Sequence, residues 1–261
     1  MYEILTFNKF KTIFIMNFKF FLPIFILLTI NNISFAQKKT PVGDNELSKK
    51  EKEDGWMLLF DGKSLKGWHN YNSKTLGERW VVEDDAIHLK VEGKSDENDR
   101  EDLVTDDKFQ DFELIMEWKI AACGNSGVLY NVVENKKYDY AWETGLEYQL
   151  LDSTCHPEGK ILKHKSGDLF DLIAAYKDVS KPAGQWNKLK IKVKENRVQH
   201  WLNGEKVVDF TIGNKKYEEL IKNSKFKDFA NDYGLATKGY IVLQDAGDKV
   251  WFKNIKIRKV R

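Results

Sequence analysis

The sequence is poor in cysteine and proline, and it lacks the short motifs that commonly identify an enzyme. Its 261 residues include two Cys and four Pro, and two thiols are too few for a four-Cys zinc site. It contains no Walker-A loop, paired CxxC, HExxH or GxSxG. Phosphate binding, thiol redox chemistry and elbow-type serine hydrolysis therefore lose their usual sequence support. No histidine cluster has the tight spacing of metal ligands, so the sequence predicts neither a metal nor another cofactor.

The first 36 residues have the pattern of an export signal. Lys19 closes a short basic region, Phe20–Ile30 is an apolar run, and Ser34-Phe35-Ala36 is a small-x-small cleavage site. The apolar run is too short to span a bilayer comfortably. Met16 begins a complete signal by itself, which points to it as the true start. We expect cleavage after Ala36, export to the periplasm or the medium, and no stable membrane insertion afterwards.

Removing the signal also removes the small excess of positive charge. The whole chain has 42 basic and 40 acidic residues. Three of the basic residues and one of the acidic residues lie in residues 1–36, which leaves 39 of each. A neutral protein has no bulk field to attract nucleic acid, so no nucleic-acid partner is expected.

The remaining chain divides into a short lead and one domain. Residues 37–53 are polar and rich in Lys and Glu, which predicts a flexible lead. No linker, repeat or low-complexity tract interrupts residues 54–261, so we expect a single domain there.

Strand periodicity dominates that domain. In Phe112–Ile120 the even positions are all apolar, whereas Glu113, Glu117 and Lys119 occupy odd positions, which predicts a strand with one core face and one polar face. Only Tyr217–Phe226 has helical spacing. Further strands are expected at Trp80–Leu89, Gly127–Val133, Leu146–Leu151, Leu189–Val193, Arg197–Leu202, Val207–Phe210, Tyr240–Leu243 and Val250–Arg258, with a hairpin turn at Asn203-Gly204. The pattern predicts an all-β, two-sheet antiparallel sandwich with one short helix.

The two cysteines suit a hairpin. If Gly127–Val133 pairs antiparallel with Gly145–Leu151 and Val133 faces Gly145, the same register places Cys123 opposite Cys155. A disulfide is chemically permitted in an exported protein. Two free core cysteines are the alternative, because cross-strand geometry is often unsuitable for a disulfide.

Polar residues on otherwise regular strands are the first candidates for chemistry. Glu117 and Lys119 would share one sheet face, and Glu147 and Gln149 would share the face opposite the core-facing Tyr148. We expect the two pairs to converge on one functional face. Apolar neighbours could raise the pKa of Glu147 towards that of a useful acid or base. Solvated strand charges are the alternative interpretation for both pairs.

Histidines and an aromatic residue give a second group of candidates. The loop from Cys155 to Asp171 contains His156, His164, Asp168 and Asp171, and a His beside carboxylates could titrate near neutral pH. His200 and Trp201 precede a tight turn, where they could bind a sugar hydroxyl and stack on its ring. The alternatives are ordinary loop polarity and a structural His.

One family resemblance runs through the whole domain. Gly55–Trp68, read GWMLLFDGKSLKGW, closely resembles the opening of the 3-keto-disaccharide hydrolase domain family. Further similar segments occur in the expected order at 112–119, 124–127, 147–152, 184–187, 200–204, 224–226, 243–245 and 252–257. The resemblance implies a concanavalin A-like jelly roll and chemistry on 3-keto sugars. It also draws Asn125 and Gln244 into the candidate site. Ala246 departs from the family, whose members usually carry His there, and Gly145-Leu146 replaces a common Gly-Pro.

A 3-keto glycoside offers a route that needs no pair of flanking carboxylates. The C3 ketone acidifies the C2 proton; a base removes it, the glycosidic oxygen on C1 leaves with help from an acid, and water then adds back. We expect Glu147 as the base, His164 or His200 as the acid, and Lys119 or Asn125 as the enolate partner. Glu117, Gln149, Asp171, Trp201 and Gln244 would help to bind substrate. A non-catalytic carbohydrate-binding module and a structural envelope protein are the competing functions.

Overall fold

Alternating apolar and polar residues form the longest strands, as the sequence predicts. The computed structural model describes residues 43–91, 100–229 and 231–260. Within Phe112–Ile120 the side chains of Leu114, Met116 and Trp118 are buried, whereas Glu117 and Lys119 are partly exposed. The predicted signal segment lies outside the described residues. No helix among the described residues is long and apolar enough to cross a membrane.

The described part of the chain contains thirteen strands and two α-helices. The strands are β1 (Met57–Leu58), β2 (Trp68–Asn70), β3 (Trp80–Glu83), β4 (Ala86–Leu89), β5 (Leu103–Thr105), β6 (Phe112–Ile120), β7 (Asn125–Val132), β8 (Leu146–Leu151), β9 (Asn187–Lys194), β10 (Arg197–Leu202), β11 (Glu205–Thr211), β12 (Tyr240–Leu243) and β13 (Val250–Lys259). The helices are α1 (Lys49–Glu53) and α2 (Lys215–Lys222).

These strands form the two antiparallel sheets of a jelly-roll sandwich, which confirms the predicted fold class. The larger sheet has eight strands in the order β11-β10-β9-β6-β13-β4-β3, with β1 also pairing with β13. The smaller sheet has the order β2-β5-β12-β7-β8. Their facing sides bury the main core, in which Trp118 and Phe252 of the larger sheet and Tyr130 and Tyr148 of the smaller sheet are almost fully enclosed.

Two hairpins show how local sequence sets the strand boundaries. Asn203 and Gly204 both have positive φ, 49° and 93°, and they connect β10 to β11 as predicted. The segment expected as one strand from Trp80 to Leu89 is instead two strands. Asp84 and Asp85 have φ of 50° and 56°, and two successive left-handed residues turn the chain back on itself.

The two cysteines form a disulfide, although the predicted register is wrong by two residues. Asn125 pairs with Leu151 and Gly127 with Gln149, whereas the sequence argument placed Gly127 opposite Leu151. Cys155 therefore lies in the turn after β8 and not in the strand ladder. The Cα atoms of Cys123 and Cys155 are 4.7 Å apart, so the bond ties the start of β7 to the loop after β8.

The helical prediction locates α2 but not its ends. The Asn214 side chain accepts a hydrogen bond from the Tyr217 backbone N–H at 2.8 Å and caps the helix, which begins at Lys215, two residues before its predicted start. Tyr217 and Ile221 bury the apolar side. The helix ends at Lys222, and Phe226 enters the core from the following turn. The five-residue α1 was not predicted.

Residues 43–53 differ from the expected flexible lead because they are attached to β13. Asn45 and Asn254 exchange two hydrogen bonds, at 2.6 and 2.8 Å, from the backbone N–H of each to the side-chain oxygen of the other. Ion pairs join Lys253 to Asp44 at 2.7 Å and Lys256 to Glu51. This contact partly covers the outer side of the larger sheet.

Candidate active site

The outer face of the smaller sheet brings together polar residues that are distant in sequence. Gly127 pairs with Gln149 across β7 and β8, and the Gln244 backbone N–H donates to the Gly127 carbonyl at 2.9 Å. The antiparallel β12–β5 ladder pairs Leu243 with Leu103. The same register, extended by one residue, places Asp102 beside Gln244. One row across the sheet is therefore Asp102, Gln244, Gly127 and Gln149.

Glu147 extends from the neighbouring row towards this one. Its side chain passes so close to Gly127 that a Cβ on Gly127 would lie 2.6 Å from Glu147 Oε1. Only 3% of Glu147 is exposed. Burial raises the pKa of Glu147 to about 8, even though the Lys225 ammonium and a hydrogen bond from Gln244 pull in the opposite direction. Glu147 therefore retains its proton at neutral pH.

Asp102 is a second carboxyl group with a raised pKa. Burial raises the pKa of Asp102 to about 7, although the Asp245 backbone N–H donates to Asp102 Oδ1 at 2.8 Å. The Asp245 side chain has no exposed surface and forms a two-point contact with Arg79, at 2.5 and 3.0 Å. Asp245 thus fixes the turn that follows Gln244. Asp102 and Glu147 therefore both hold their protons to a higher pH than an ordinary carboxyl group does.

A cavity of about 620 Å³ opens beside Asp102 and Gln244. Tyr71, Tyr140 and Trp142 supply aromatic surface to its wall, and the Tyr140 and Trp142 rings are stacked at 5.6 Å with planes 12° apart. Its size suits a small ligand. Most of the other lining residues are polar or charged. Aromatic rings and polar groups together suit a sugar, whose C–H faces stack on rings while its hydroxyls bind polar atoms.

The loop that contains His164 packs against the same end of β8. His164 is 9% exposed and lies between two carboxylates, with Nε2 3.2 Å from Asp171 Oδ1 and Nδ1 3.3 Å from Glu158 Oε2. Its ring centroid is 4.2 Å from that of Phe170. The Phe170 backbone N–H donates to the Glu147 carbonyl at 3.1 Å. The loop that carries His164 and Asp171 therefore runs alongside β8 at Glu147.

His200 belongs to the core and not to the cavity, which corrects its expected role as an acid. It has no exposed surface. Its Nε2 is 2.8 Å from the Tyr130 hydroxyl and its Nδ1 is 3.2 Å from the Gly167 carbonyl. Burial lowers the pKa of His200 to about 3. It is therefore a neutral, structural histidine, the alternative that the sequence left open.

Glu117, Lys119 and Trp201 lie on the outer face of the larger sheet. The sequence argument placed Glu117 and Lys119 with Glu147 and Gln149, but their strands belong to opposite layers of the sandwich. The Lys119 ammonium lies 4.6 Å from the centroid of the Trp251 ring, and Lys190 lies 3.7 Å from that of Trp201. The alternation of apolar and polar residues identifies the outward-facing positions of a strand, but it does not indicate which sheet the strand joins.

Gln149 and Asn125 are on the same sheet as Glu147, and the Gln149 side chain is engaged in a local hydrogen bond, whereas Asn125 Oδ1 is buried without a hydrogen-bond partner among the described residues. Gln149 is 1% exposed, and its Oε1 accepts from the Leu150 backbone N–H at 2.9 Å. The Asn125 backbone N–H donates to Asp248 Oδ2 at 3.0 Å. Gln149 reaches the row beside Gly127, and Asn125 lies two residues before Gly127 at the start of β7, close to the disulfide.

Sequence reasoning missed four residues of this site: Asp102, Tyr71, Trp142 and Lys225. Asp102 precedes a three-residue strand that is too short to show alternation. The family-like segment at 224–226 contains Lys225, but no local sequence pattern connects Lys225 with Glu147. Among the described residues, no group of three or more His, Cys, Asp or Glu side chains is arranged to hold a metal ion.

Comparison with known proteins gives the family. The protein is a two-sheet jelly roll. Its smaller sheet carries two carboxyl groups with raised pKa, one of which lines a cavity. The chain belongs to the 3-keto-alpha-glucoside-1,2-lyase-like domain family, whose model matches residues 55–258. This match confirms the resemblance drawn from the sequence.

Individual relatives agree with this assignment. The 3-keto-disaccharide hydrolase of Bacteroides thetaiotaomicron is 35% identical over 227 residues, which are 78% of this chain and 78% of that protein. A crystal structure from Parabacteroides distasonis, of a protein provisionally named a glycosyl hydrolase, is 36% identical with a TM-score of 0.76, and the match covers 84% of this chain and all of that one. A second structure from that organism, named in the same way, is 26% identical with a TM-score of 0.59, and covers 78% of this chain and 99% of its own.

Proposed function

We propose that this chain is an exported hydrolase that cleaves the glycosidic bond of 3-keto glycosides. One observation carries the proposal: two carboxyl groups with raised pKa, the partly exposed Asp102 that lines the cavity and the buried Glu147, lie on one sheet face on either side of Gln244. The names of the family and of its Bacteroides relative supply the substrate class.

The two carboxyls suit the two proton transfers that the reaction needs. The pKa values of Asp102 and Glu147 are raised to about 7 and about 8, so each group can exchange a proton near neutral pH. Asp102 lines the cavity and would remove the C2 proton, and Glu147 would give its proton to the departing oxygen. This exchanges the expected role of Glu147, because a group that retains its proton at neutral pH is the better acid. The backbones of Asp102, beside β5, and of Glu147, on β8, are separated by three strand spacings, which is about 14 Å at ~4.8 Å per spacing.

The chemistry balances without an oxidant or reductant. The base takes the C2 proton, and the C–H electron pair forms the enolate across C2, C3 and the C3 oxygen. The pair then returns to form a C1–C2 double bond as the C1–O bond breaks, and the leaving oxygen takes the acid's proton. Addition of water across the double bond places hydroxyl on C1 and hydrogen on C2, so the net reaction is hydrolysis.

The cavity wall would bind the sugar. The stacked pair Tyr140 and Trp142 presents ring surface, and Asp139, Asn70 and Glu101 also line the cavity. Such a site holds a sugar by ring stacking and hydroxyl hydrogen bonds. Ala246 lies in the turn after Asp245, and an alanine there has no side chain with which to transfer protons. The proposed pair does not require one.

Export is part of the proposal, and its support is the pattern of residues 1–36. The disulfide between Cys123 and Cys155 is consistent with an oxidising compartment. N-terminal sequencing of the mature protein should find Gln37 first. An intact N-terminus on protein recovered from the cytosol would contradict export.

The function is tested by offering the purified protein a 3-keto glycoside and its unoxidised parent. We expect aglycone release from the keto form alone, and a loss of at least ~100-fold with Asp102→Asn or Glu147→Gln. Glu117→Gln, on the outer face of the other sheet, is the matched control and should retain full activity. Binding of the keto glycoside without turnover would favour the carbohydrate-binding module instead, and cleavage of both substrates would contradict the need for the ketone.

A further inference from the structure

Lys225 carries a positive charge that acts on the carboxyl group of Glu147. Its ammonium lies 4.1 Å from the centroid of the Phe170 ring and 5.5 Å from that of Trp142, whose ring lines the cavity. Lys225 is exposed, and its ammonium makes no ion pair with any residue that the structure describes. A cation with aromatic neighbours and no bound carboxylate is available to an anionic ligand.

The backbone at Lys225 is held in place from two sides. Its N–H donates to Asp171 Oδ2 at 2.8 Å, and the other oxygen of Asp171 is 3.2 Å from His164 Nε2. The next residue, Phe226, is fully buried and stacks on Tyr233 with centroids 4.1 Å apart. Lys225 is therefore presented from a fixed turn and not from a free loop.

The positive charge of Lys225 interacts with the carboxyl group of Glu147. Burial is the larger influence on Glu147 and raises its pKa, and the Lys225 ammonium is the first of the influences that lower it. A cation that stabilises the carboxylate form of Glu147 also stabilises other negative charge at that position. Of the two residues expected from the sequence to fill this role, Lys119 lies on the opposite sheet. Asn125 lies two residues before Gly127 on β7 and carries no charge.

We propose that Lys225 is the catalytic cation that stabilises the enolate of the 3-keto sugar, and that Asp171, backed by His164, positions it. This assignment rests on the proposed function. When the C2–H bond breaks, its electron pair moves into the C2–C3 bond and the C3 oxygen becomes negative. Lys225 would donate a hydrogen bond to that oxygen and would lose the interaction again when the ketone re-forms. Such a group acts in the transition state more than in the ground state.

The assignment is tested by kinetics of Lys225→Met on a 3-keto glycoside. We expect kcat to fall ~100-fold with little change in KM, because a transition-state charge loses its partner. Lys225→Arg should recover part of the loss. Lys222→Met, an exposed lysine at the end of α2, makes the same charge change away from the cavity and should behave like the wild type.

The positioning role of Asp171 is tested by making Asp171→Gly both in the wild type and in the Lys225→Met variant. Asp171 has φ of 57°, a conformation that glycine adopts without strain, so Asp171→Gly removes the carboxylate but keeps the backbone. We expect ~10-fold lower kcat in the wild-type background and no further loss in the Lys225→Met background, since a positioning residue acts only through its target. Additive losses would overturn the positioning role.

The outcomes separate the two claims. A wild type that cleaves keto glycosides and a Lys225→Met variant that is equally fast would overturn the Lys225 assignment and leave the proposed function standing. A wild type that cleaves no keto glycoside would overturn both. As a readout independent of turnover, the pKa of Glu147 followed by carbon NMR should rise in Lys225→Met and stay unchanged in Lys222→Met.

Discussion

Gly127 lies directly against the side chain of Glu147. A Cβ on Gly127 would be 2.6 Å from Glu147 Oε1 and 2.9 Å from its Cγ. The absence of a side chain at one position therefore allows the carboxyl group of the facing strand to extend across β7 towards Gln244. This contact connects a sequence feature, a glycine within a strand, to the geometry of the proposed acid.

Gly127→Ala should reduce turnover without preventing folding. The added methyl group has to displace the Glu147 carboxyl, and a misplacement of about 1 Å can cost ~100-fold in rate. The measurement is kcat on a 3-keto glycoside, with the melting temperature as a check on folding. Gly43→Ala is the control, because that glycine is exposed and its Cβ would meet only the flexible end of Glu46. Full activity in Gly127→Ala would show that the position of Glu147 is not critical.

The pH dependence of kcat/KM should be bell-shaped, with its maximum between pH of about 7 and about 8. Activity should rise as Asp102 loses its proton, near pH 7, and should fall as Glu147 loses its own, near pH 8. Asp102→Asn should abolish the rising limb and Glu147→Gln the falling limb in whatever activity remains. A flat profile from pH 5 to 9 would contradict the assignment of both groups.

Glu147→Gln should stabilise the protein at pH 8 but not at pH 4.5. The folded-state pKa of about 8 is above the ordinary value of 4.5, so the folded protein holds the proton more tightly than the unfolded chain. The wild-type free energy of unfolding therefore falls as the pH rises through this range, by up to ~1.4 kcal/mol per pH unit. Glutamine cannot ionise and removes this dependence. Chemical unfolding at both pH values measures it, with Glu117→Gln as the control. Equal stability differences at the two pH values would contradict a buried, raised Glu147.

His200→Gln should lower stability and leave kcat unchanged. His200 bridges the Tyr130 hydroxyl and the Gly167 carbonyl inside the core, and loss of such contacts costs about 1–3 kcal/mol. The folded-state pKa of His200 is about 3, below its ordinary 6.5, so its neutral form contributes stability that is complete above pH 6.5 and is lost as the pH falls towards 3. The variant should lose this part of the acid sensitivity. A large fall in kcat with an unchanged melting temperature would restore His200 as a catalytic candidate.

The sequence predicts this fold well because the alternation of apolar and polar residues within a strand shows which of its side chains are buried. In β6 the alternation from Phe112 to Ile120 identifies the buried positions without knowledge of the partner strands. It does not identify the partners. Glu117 and Glu147 have the same pattern, yet one faces outward from the larger sheet and the other from the smaller one. Sheet membership depends on pairings between distant segments, which no local period encodes.

The sequence predicts part of the candidate site, because some of its residues lie in local patterns and others are brought together only by contacts between distant segments. Glu147, Gln149 and Gln244 were found because two of them sit on a regular strand and the third in a family pattern. Asp102 and Lys225 were not proposed, because each gains its role from contacts between distant segments: Asp102 lies beside Gln244, and Lys225 is bound to Asp171. His200 was chosen as a candidate because a buried structural histidine and an exposed catalytic one look alike in sequence.

The most direct test of elimination followed by hydration is the fate of the hydrogen on C2. The enzyme should cleave a 3-keto glycoside in deuterium oxide, and mass spectrometry and NMR should analyse the early 3-keto sugar product after its hydroxyl deuterons are exchanged back. The account predicts one deuterium at C2, well above the level in product merely incubated in the same solvent. Product that retains its original C2 hydrogen would contradict the account, because direct displacement at C1 never breaks that bond.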